Sequence, residues 1–302
     1  MKFEGIIIKS VGGIYYVDAL DGYNQRNVKC TARGIFRKKG ISPAAGDYVT
    51  VDFSDDSEPI IEEIHERKNY LPRPPLANLD KLVFVNSCAE PAINRFILDK
   101  LLVIADSKDI EPIIVFTKID LNTAGDFPKI YRSIGIPVIQ VNNIDGSGSE
   151  ELKKLISGKI SAFVGNSGVG KSSLLNNICP ELELETAEIS RKLGRGRHTT
   201  RTVQLFPALG GYIADTPGFS TVEVDCYCDI PAEELCFAFR EFRDYIGKCR
   251  FSNCSHTKEQ GCAILEAVEQ GKISKSRYDS FRMLTENTGK TEYPKPKKRR
   301  AE

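Results

Sequence analysis

No run of apolar residues in this 302-residue chain approaches the roughly 18 needed to span a bilayer, which excludes a helical membrane protein. The first residues, Met1 to Gly13, carry Lys2, Glu4 and Lys9 and lack the apolar core of an export signal. A cytoplasmic protein without a membrane partner is therefore expected. An excess of one charge is also missing. Forty-two Lys and Arg stand against 41 Asp and Glu, a formal net charge of +1, which by itself points to no polyanionic partner. Internal repeats are absent as well, so a solenoid is not the reading. The nine cysteines are odd in number and follow no export signal, so a disulfide framework is excluded too.

The length calls for two or three domains, and 41% hydrophobic with 27% charged residues describes a globular chain. Residues 1–70 hold short apolar segments (GIIIKS, GIYYVDA, NVKCTARG, DYVTVDF) punctuated by Gly and Asp. This rhythm predicts a five-stranded β-barrel of oligonucleotide/oligosaccharide-binding type. Arg33, Arg37, Lys38 and Lys39 cluster in one loop, either as a solvated turn or as a contact for nucleic acid. Tyr15, Tyr16 and Phe36 are read as an aromatic platform for RNA beside it. The Pro-rich segment Leu71–Asp80 is read as a linker.

From 71 to 223 the pattern changes. Apolar runs (LVFVN, PIIVF, PVIQV, ISAFVG, VQLF, YIAD) alternate with helical stretches such as NRFILDKLLVIADS and EELKKLI. Such alternation predicts an α/β domain with a mostly parallel, doubly wound sheet. Residues 224–302 form a third region. It holds a helix opened by Pro231, a cysteine-rich knot, a second helical stretch over Ala263–Glu286 and the basic tail KPKKRRAE.

Gly165-Asn166-Ser167-Gly168-Val169-Gly170-Lys171-Ser172, followed by Ser173, matches GxxxxGK[ST] between a strand and a helix. Glycines at this spacing let successive backbone N–H groups curl around a phosphate, and the helix N-terminus adds a positive field. Lys171 is the expected catalytic cation on the β- and γ-phosphates, and Ser172 the expected magnesium ligand. Asp215-Thr216-Pro217-Gly218 closes an apolar strand. There Asp215 can hold the magnesium shell, and the Gly218 amide can sense a γ-phosphate. Between them lies the Gly- and Arg-rich segment Gly194–Arg201. It is read as a loop that brings Thr200 to magnesium and His198 to the attacking water. A basic surface loop is the alternative. Phe219, next to the DxxG element, cannot orient water, so intrinsic turnover should be slow.

Thr117-Lys118-Ile119-Asp120 follows the run PIIVF. Asp120 can accept from guanine N1–H and the exocyclic amine, a donor pair that adenine does not present, while the Lys118 stem packs on the ring. The cofactor reading is GTP or GDP with Mg2+. The base motif precedes the phosphate loop, which precedes DxxG. Because these parts must meet in space and not in sequence, a circularly permuted GTPase domain satisfies the chemistry. Separately, Cys249, Cys254, His256 and Cys262 give C-x4-C-x-H-x5-C, a closed set of three thiolates and one imidazole suited to structural Zn2+.

On GNSGVGKSS, GRHTT, DTPGF and the C-terminal cysteine knot, the chain resembles the ribosome-small-subunit-dependent GTPase A family over residues 1 to about 290. That resemblance implies a circularly permuted P-loop GTPase domain between an N-terminal β-barrel of oligonucleotide-binding type and a helical zinc-binding domain. It also implies a GTP hydrolase stimulated by the small ribosomal subunit, with 16S-type rRNA and proteins as partners, working in late maturation as a monomer. It points to His198 as the group that activates water. Two departures stand out: Thr117 replaces an Asn found in many members, and Asn142-Asn143 replaces the usual Ser-Ala pair. Two rival functions stay open, a nucleotide-gated ribosome-binding module with negligible turnover and a P-loop ATPase or small-molecule kinase.

Overall fold

The computed structural model describes residues 2–20, 27–38, 40–53, 58–182, 203–215 and 230–287. They divide into two compact units, Met1–Asn94 with Ala105–Asp225, and Arg95–Ile104 with Cys226–Glu302.

The first unit opens with β1 (Lys2–Val11), β2 (Ile14–Ala19), β3 (Val28–Ala32), α1 (Gly34–Lys38), β4 (Tyr48–Asp52) and β5 (Ile60–Ile64). Their order is β1-β2-β3-β5-β4, and β4 also pairs antiparallel with β1, closing the expected five-stranded barrel. Alternate residues point inward, so Ile7, Val17, Val49, Val51 and Ile61 are fully buried in its core. The same pleat corrects the aromatic platform. Tyr15 and Phe36 belong to that core, and only Tyr16 faces the other way, with Lys9 Nζ 6.0 Å from its ring centroid. Neighbouring strand residues cannot share a face. Arg33 pairs with Glu62 at 3.1 Å and Lys38 is exposed; Lys39 and the Arg37 side chain lie outside the described residues.

The Pro-rich segment is not a loose linker. It folds as a hairpin of β6 (Tyr70–Pro72) and β7 (Pro75–Ala77), with Leu71, Leu76 and Leu79 fully buried. Buried amides fasten it: Asn69 Nδ2 donates to Leu79 O at 2.8 Å and Asn78 Nδ2 to Gly46 O at 2.9 Å. Gly46 has φ +88°, and a Cβ there would stand 2.1 Å from Ala77 O. Only glycine permits this approach.

Next come β8 (Lys81–Ser87), α2 (Arg95–Ser107), β9 (Glu111–Thr117), α3 (Phe127–Ser133), β10 (Val138–Gln140), α4 (Ser149–Ile156), β11 (Ile160–Val164), α5 (Lys171–Ile178), β12 (Gln204–Ala208) and β13 (Gly211–Asp215). The strand order β10-β9-β8-β11-β13-β12 is parallel except for β12, which runs antiparallel to β13. Lys9 of β1 pairs with Gln204 of β12, joining barrel and sheet. All five residues of β11 are buried, as expected of a parallel strand covered on both faces. On one face, Phe163 of β11, Val83 and Val85 of β8, and Ile113 and Val115 of β9 pack in one core with Leu152, Ile156, Leu174, Leu175 and Ile178 of α4 and α5.

The second unit contains the first ten residues of α2, then α6 (Ala232–Ala238), α7 (Ala263–Glu269) and α8 (Lys275–Asn287). The helical stretch expected over Ala263–Glu286 is broken in two. Gly271 takes φ +69°, and the Lys272 N–H turns back to Ala267 O at 2.9 Å, a left-handed helix end. Phe239, Phe242 and Phe281 form the core, with ring centroids 5.0 to 5.5 Å apart. At its edge Arg277 is buried, donating to Asp99 Oδ1 and Glu241 Oε1 at 2.7 Å each and lying 4.6 Å over the Phe239 ring. Among the described residues no helix is long and apolar enough to cross a membrane.

Candidate nucleotide site and metal centre

In an open parallel sheet, ligands bind beyond the carboxyl ends of the strands. Here those ends carry the predicted motifs side by side. Thr117–Asp120 leaves β9, residues 142–148 leave β10, and Gly165–Gly170 leaves β11; Asp215 closes β13, the neighbour of β11. Permuted order in sequence has become adjacency in space.

The phosphate-type loop needs its glycines. A Cβ on Gly165 would stand 2.5 Å from Val85 O, while Gly168 and Gly170 take φ +84° and +88°. Lys171, Ser172 and Ser173 follow as the first turn of α5, all partly buried. Val169 is buried against the core that α5 covers, and Asn166 O accepts from the Val169 N–H at 3.4 Å. Ser167 lies exposed at the loop tip.

The base motif is tied to this loop. Thr117 is fully buried, and its single hydroxyl hydrogen serves Val169 O at 2.5 Å, with Asn86 O at 3.1 Å. Lys118 holds φ +57° and donates from Nζ to Glu90 O at 2.6 Å, which lays its stem along the strand ends. Ile119 is half-buried and Asp120 exposed. The next loop is braced by its own side chains. Asn142 Oδ1 accepts from the Ile144 N–H at 2.9 Å, and Asp145 Oδ1 from the Ser147 N–H at 2.8 Å; that backbone donor, first among several, holds the Asp145 carboxyl below its usual range. Asn143 Nδ2 donates to Gly170 O at 3.1 Å. Sequence reasoning noted Asn143 as a departure and missed this contact; an amide three residues past a strand end was the available signal.

His198, Thr200 and Gly218 lie outside the described residues, as does the side chain of Asp215, whose backbone closes β13 in register with Gln204.

In the second unit, Cys249, Cys254, His256 and Cys262 come together with all four ligand atoms within 4.8 Å of one another. His256 Nδ1 is 3.5 Å from the sulfurs of both Cys249 and Cys262, and those sulfurs are 3.9 Å apart. A tetrahedron with Zn–S near 2.3 Å and Zn–N near 2.0–2.1 Å has edges of about 3.8 and 3.6 Å, so this donor set fits zinc. Burial, foremost, pushes the Cys254 thiol up to about 12, raises Cys262 and lowers His256. Each shift favours the neutral form, and a cation's field reverses it for the thiols. The turn between ligands is held by Glu259, which accepts from the Ser255, Thr257 and Lys258 N–H groups at 3.1 Å. From α8, Tyr278 donates to His256 O at 3.0 Å. Neither support is legible in a ligand-spacing pattern.

With the geometry in place, similarity becomes decisive. Residues 64–225 match the RsgA GTPase family and residues 4–61 the RsgA N-terminal domain. The chain belongs to the RsgA GTPase family. Among curated relatives, the small ribosomal subunit biogenesis GTPase RsgA of Caldanaerobacter subterraneus is 44% identical over 287 residues, covering 94% of this chain and 95% of the relative. The Bacillus subtilis protein of the same name is 43% identical, covering 92% and 95%. Among solved structures, YjeQ from Thermotoga maritima superposes with a TM-score of 0.80 at 34% identity, over 96% of this chain and all of that one. YloQ, described as a circularly permuted GTPase, gives 0.78 at 36%, over 97% and 98%. The family assignment agrees with the closed barrel, the permuted strand order and the zinc-compatible cluster.

Proposed function

We propose that this chain hydrolyses GTP in the biogenesis of the small ribosomal subunit and that the subunit stimulates the reaction. The observation that carries the nucleotide half is the fastening of the Thr117–Asp120 strand end to the Gly165–Gly170 loop through the Thr117 hydroxyl and Val169 O. This sets a base-reading carboxylate and a phosphate cradle on one surface. The names of relatives at 43–46% identity carry the ribosomal half.

In this reading Asp120 accepts from guanine N1–H and the exocyclic amine, and the Lys118 stem covers the ring. The N–H groups of Gly165 to Ser173 hold the phosphates, with Lys171 spanning the β- and γ-groups. Ser172 and Thr200 hold magnesium, with Asp215 behind them; the ion supplies neutralising charge on the phosphate oxygens. The Gly218 amide senses the γ-phosphate. His198 orients the water for in-line attack, since Phe219 has no hydrogen-bonding group for that task. The cysteine–histidine cluster holds a structural zinc. The barrel and basic tail meet ribosomal RNA through phosphates, a salt-sensitive contact.

Phosphate release from GTP, measured with purified small subunits, with large subunits and with neither, tests the proposal. Stimulation by small subunits alone, lost in His198→Ala, is expected. Equal and negligible turnover in all three would leave a nucleotide-gated binding module, the reading that Phe219 favours.

A further inference from the structure

We infer that Asn143 is a nucleotide-positioning residue that, with Thr117, sets the direction of two phosphate-loop N–H groups and couples them to the base loop. The inference rests on the guanine-nucleotide reading above and deepens it.

A trans peptide is planar, with its C=O and N–H pointing opposite ways. Holding the Val169 carbonyl therefore aims the Gly170 N–H, and holding the Gly170 carbonyl aims the Lys171 N–H. Two side chains hold these successive carbonyls, Thr117 Oγ1 on Val169 O at 2.5 Å and Asn143 Nδ2 on Gly170 O at 3.1 Å. They come from the ends of neighbouring strands β9 and β10 and converge on one point: a Cβ on Gly170 would stand 2.8 Å from Asn143 Nδ2 and 3.5 Å from Thr117 Oγ1. The orientation of the Asn143 amide follows from chemistry, because only its NH2 side can face a carbonyl oxygen.

Asn143 is anchored from a third side. Its main-chain O accepts from Asn177 Nδ2 of α5 at 3.0 Å. One residue thus links the base loop, the phosphate loop and the helix that follows it. Its Oδ1 is buried with no hydrogen-bond partner among the described residues, an unmet acceptor of the kind found at functional sites. Thr117 alone reaches only the first carbonyl. Asn143 supplies the amide donor for the second, so the two positions act as one device.

The test is a double-mutant cycle read by fluorescent GDP binding, with the melting temperature of each nucleotide-free variant measured alongside. Asn143→Ala should weaken GDP about tenfold through faster release, alongside a modest fall in melting temperature from the hydrogen bond removed. Thr117→Asn places an amide beside the same carbonyls. In the double variant it should restore affinity to within about threefold of the parent, so that the two effects do not multiply. Asn143→Asp, nearly isosteric but lacking the donor and anionic beside a carbonyl and the phosphate cradle, should weaken GDP more than Asn143→Ala does. Binding within twofold of the parent for Asn143→Ala, or penalties that multiply, would overturn the inference while leaving the guanine reading intact. No GDP binding by the parent chain would overturn both.

Discussion

Chelating the metal from the Cys249, Cys254, His256 and Cys262 cluster should melt its own segment and spare the aromatic core beside it. The magnitude follows from what else holds the segment. Cys249 to Cys262 spans fourteen residues without a helix or strand. Ordering their backbone costs roughly 14–28 kcal/mol at about 1–2 kcal/mol per residue. The bonds made by Glu259, Tyr278 and the Arg250 N–H to Gly261 O return about 3–9 kcal/mol together, at about 0.5–1.5 each. The shortfall, about 15 kcal/mol at mid-range, matches the roughly 10–16 kcal/mol that structural zinc contributes. Phe239, Phe242 and Phe281 pack ring against ring with no metal ligand among the three. Hydrogen exchange with and without a strong chelator is the assay, preceded by metal counting on the purified protein. The expected result is one zinc per chain, with protection lost over 249–262 and kept in α8 around Phe281. Protein that carries no zinc, or exchange over 249–262 that ignores the chelator, would refute the reasoning.

Arg277→Ala leaves Asp99 and Glu241 buried without their cation, which should cost about 3–5 kcal/mol in urea unfolding followed by circular dichroism; adding Asp99→Asn should recover part of it. Glu259→Ala removes the acceptor shared by the Ser255, Thr257 and Lys258 N–H groups, so zinc release to a chromogenic chelator should run several-fold faster with the cluster's stoichiometry unchanged. Gly170→Ala forces a side chain at φ +88° to within 2.8 Å of Asn143 Nδ2. Strain of about 1–2 kcal/mol added to the displaced amide should weaken GDP by tenfold or more in the same fluorescence assay.

Legibility in the sequence followed from how local each signal was. The Gly165–Ser172 motif and the C-x4-C-x-H-x5-C spacing lie within short stretches, so their residues could be named before any fold was known. The barrel was legible because alternation runs through each strand, yet the same alternation, applied residue by residue, would have placed Tyr15 inside and Tyr16 outside. The Pro-rich hairpin misled because Pro72, Pro74 and Pro75 suggest a linker, while Leu71, Leu76 and Leu79, which bury it, are spaced for no regular pattern. Long-range partners were invisible. Nothing near Arg277 points to Asp99, 178 positions away, and nothing near Asn143 points to Gly170. Such contacts are decided by topology, and only the folded sheet and helices bring them together.

Competition of GTP, XTP and ATP against labelled GDP, on the parent chain and on Asp120→Asn, bears most directly on whether one nucleotide spans β9 and the phosphate loop. The parent should prefer GTP over both others by at least about a hundredfold, since an unmet base donor or acceptor costs roughly 1–3 kcal/mol at each contact. Asp120→Asn should invert the preference toward XTP, whose ring carbonyl faces the new amide donor. Equal binding of ATP and GTP by the parent, or a selectivity untouched by Asp120→Asn, would contradict the account.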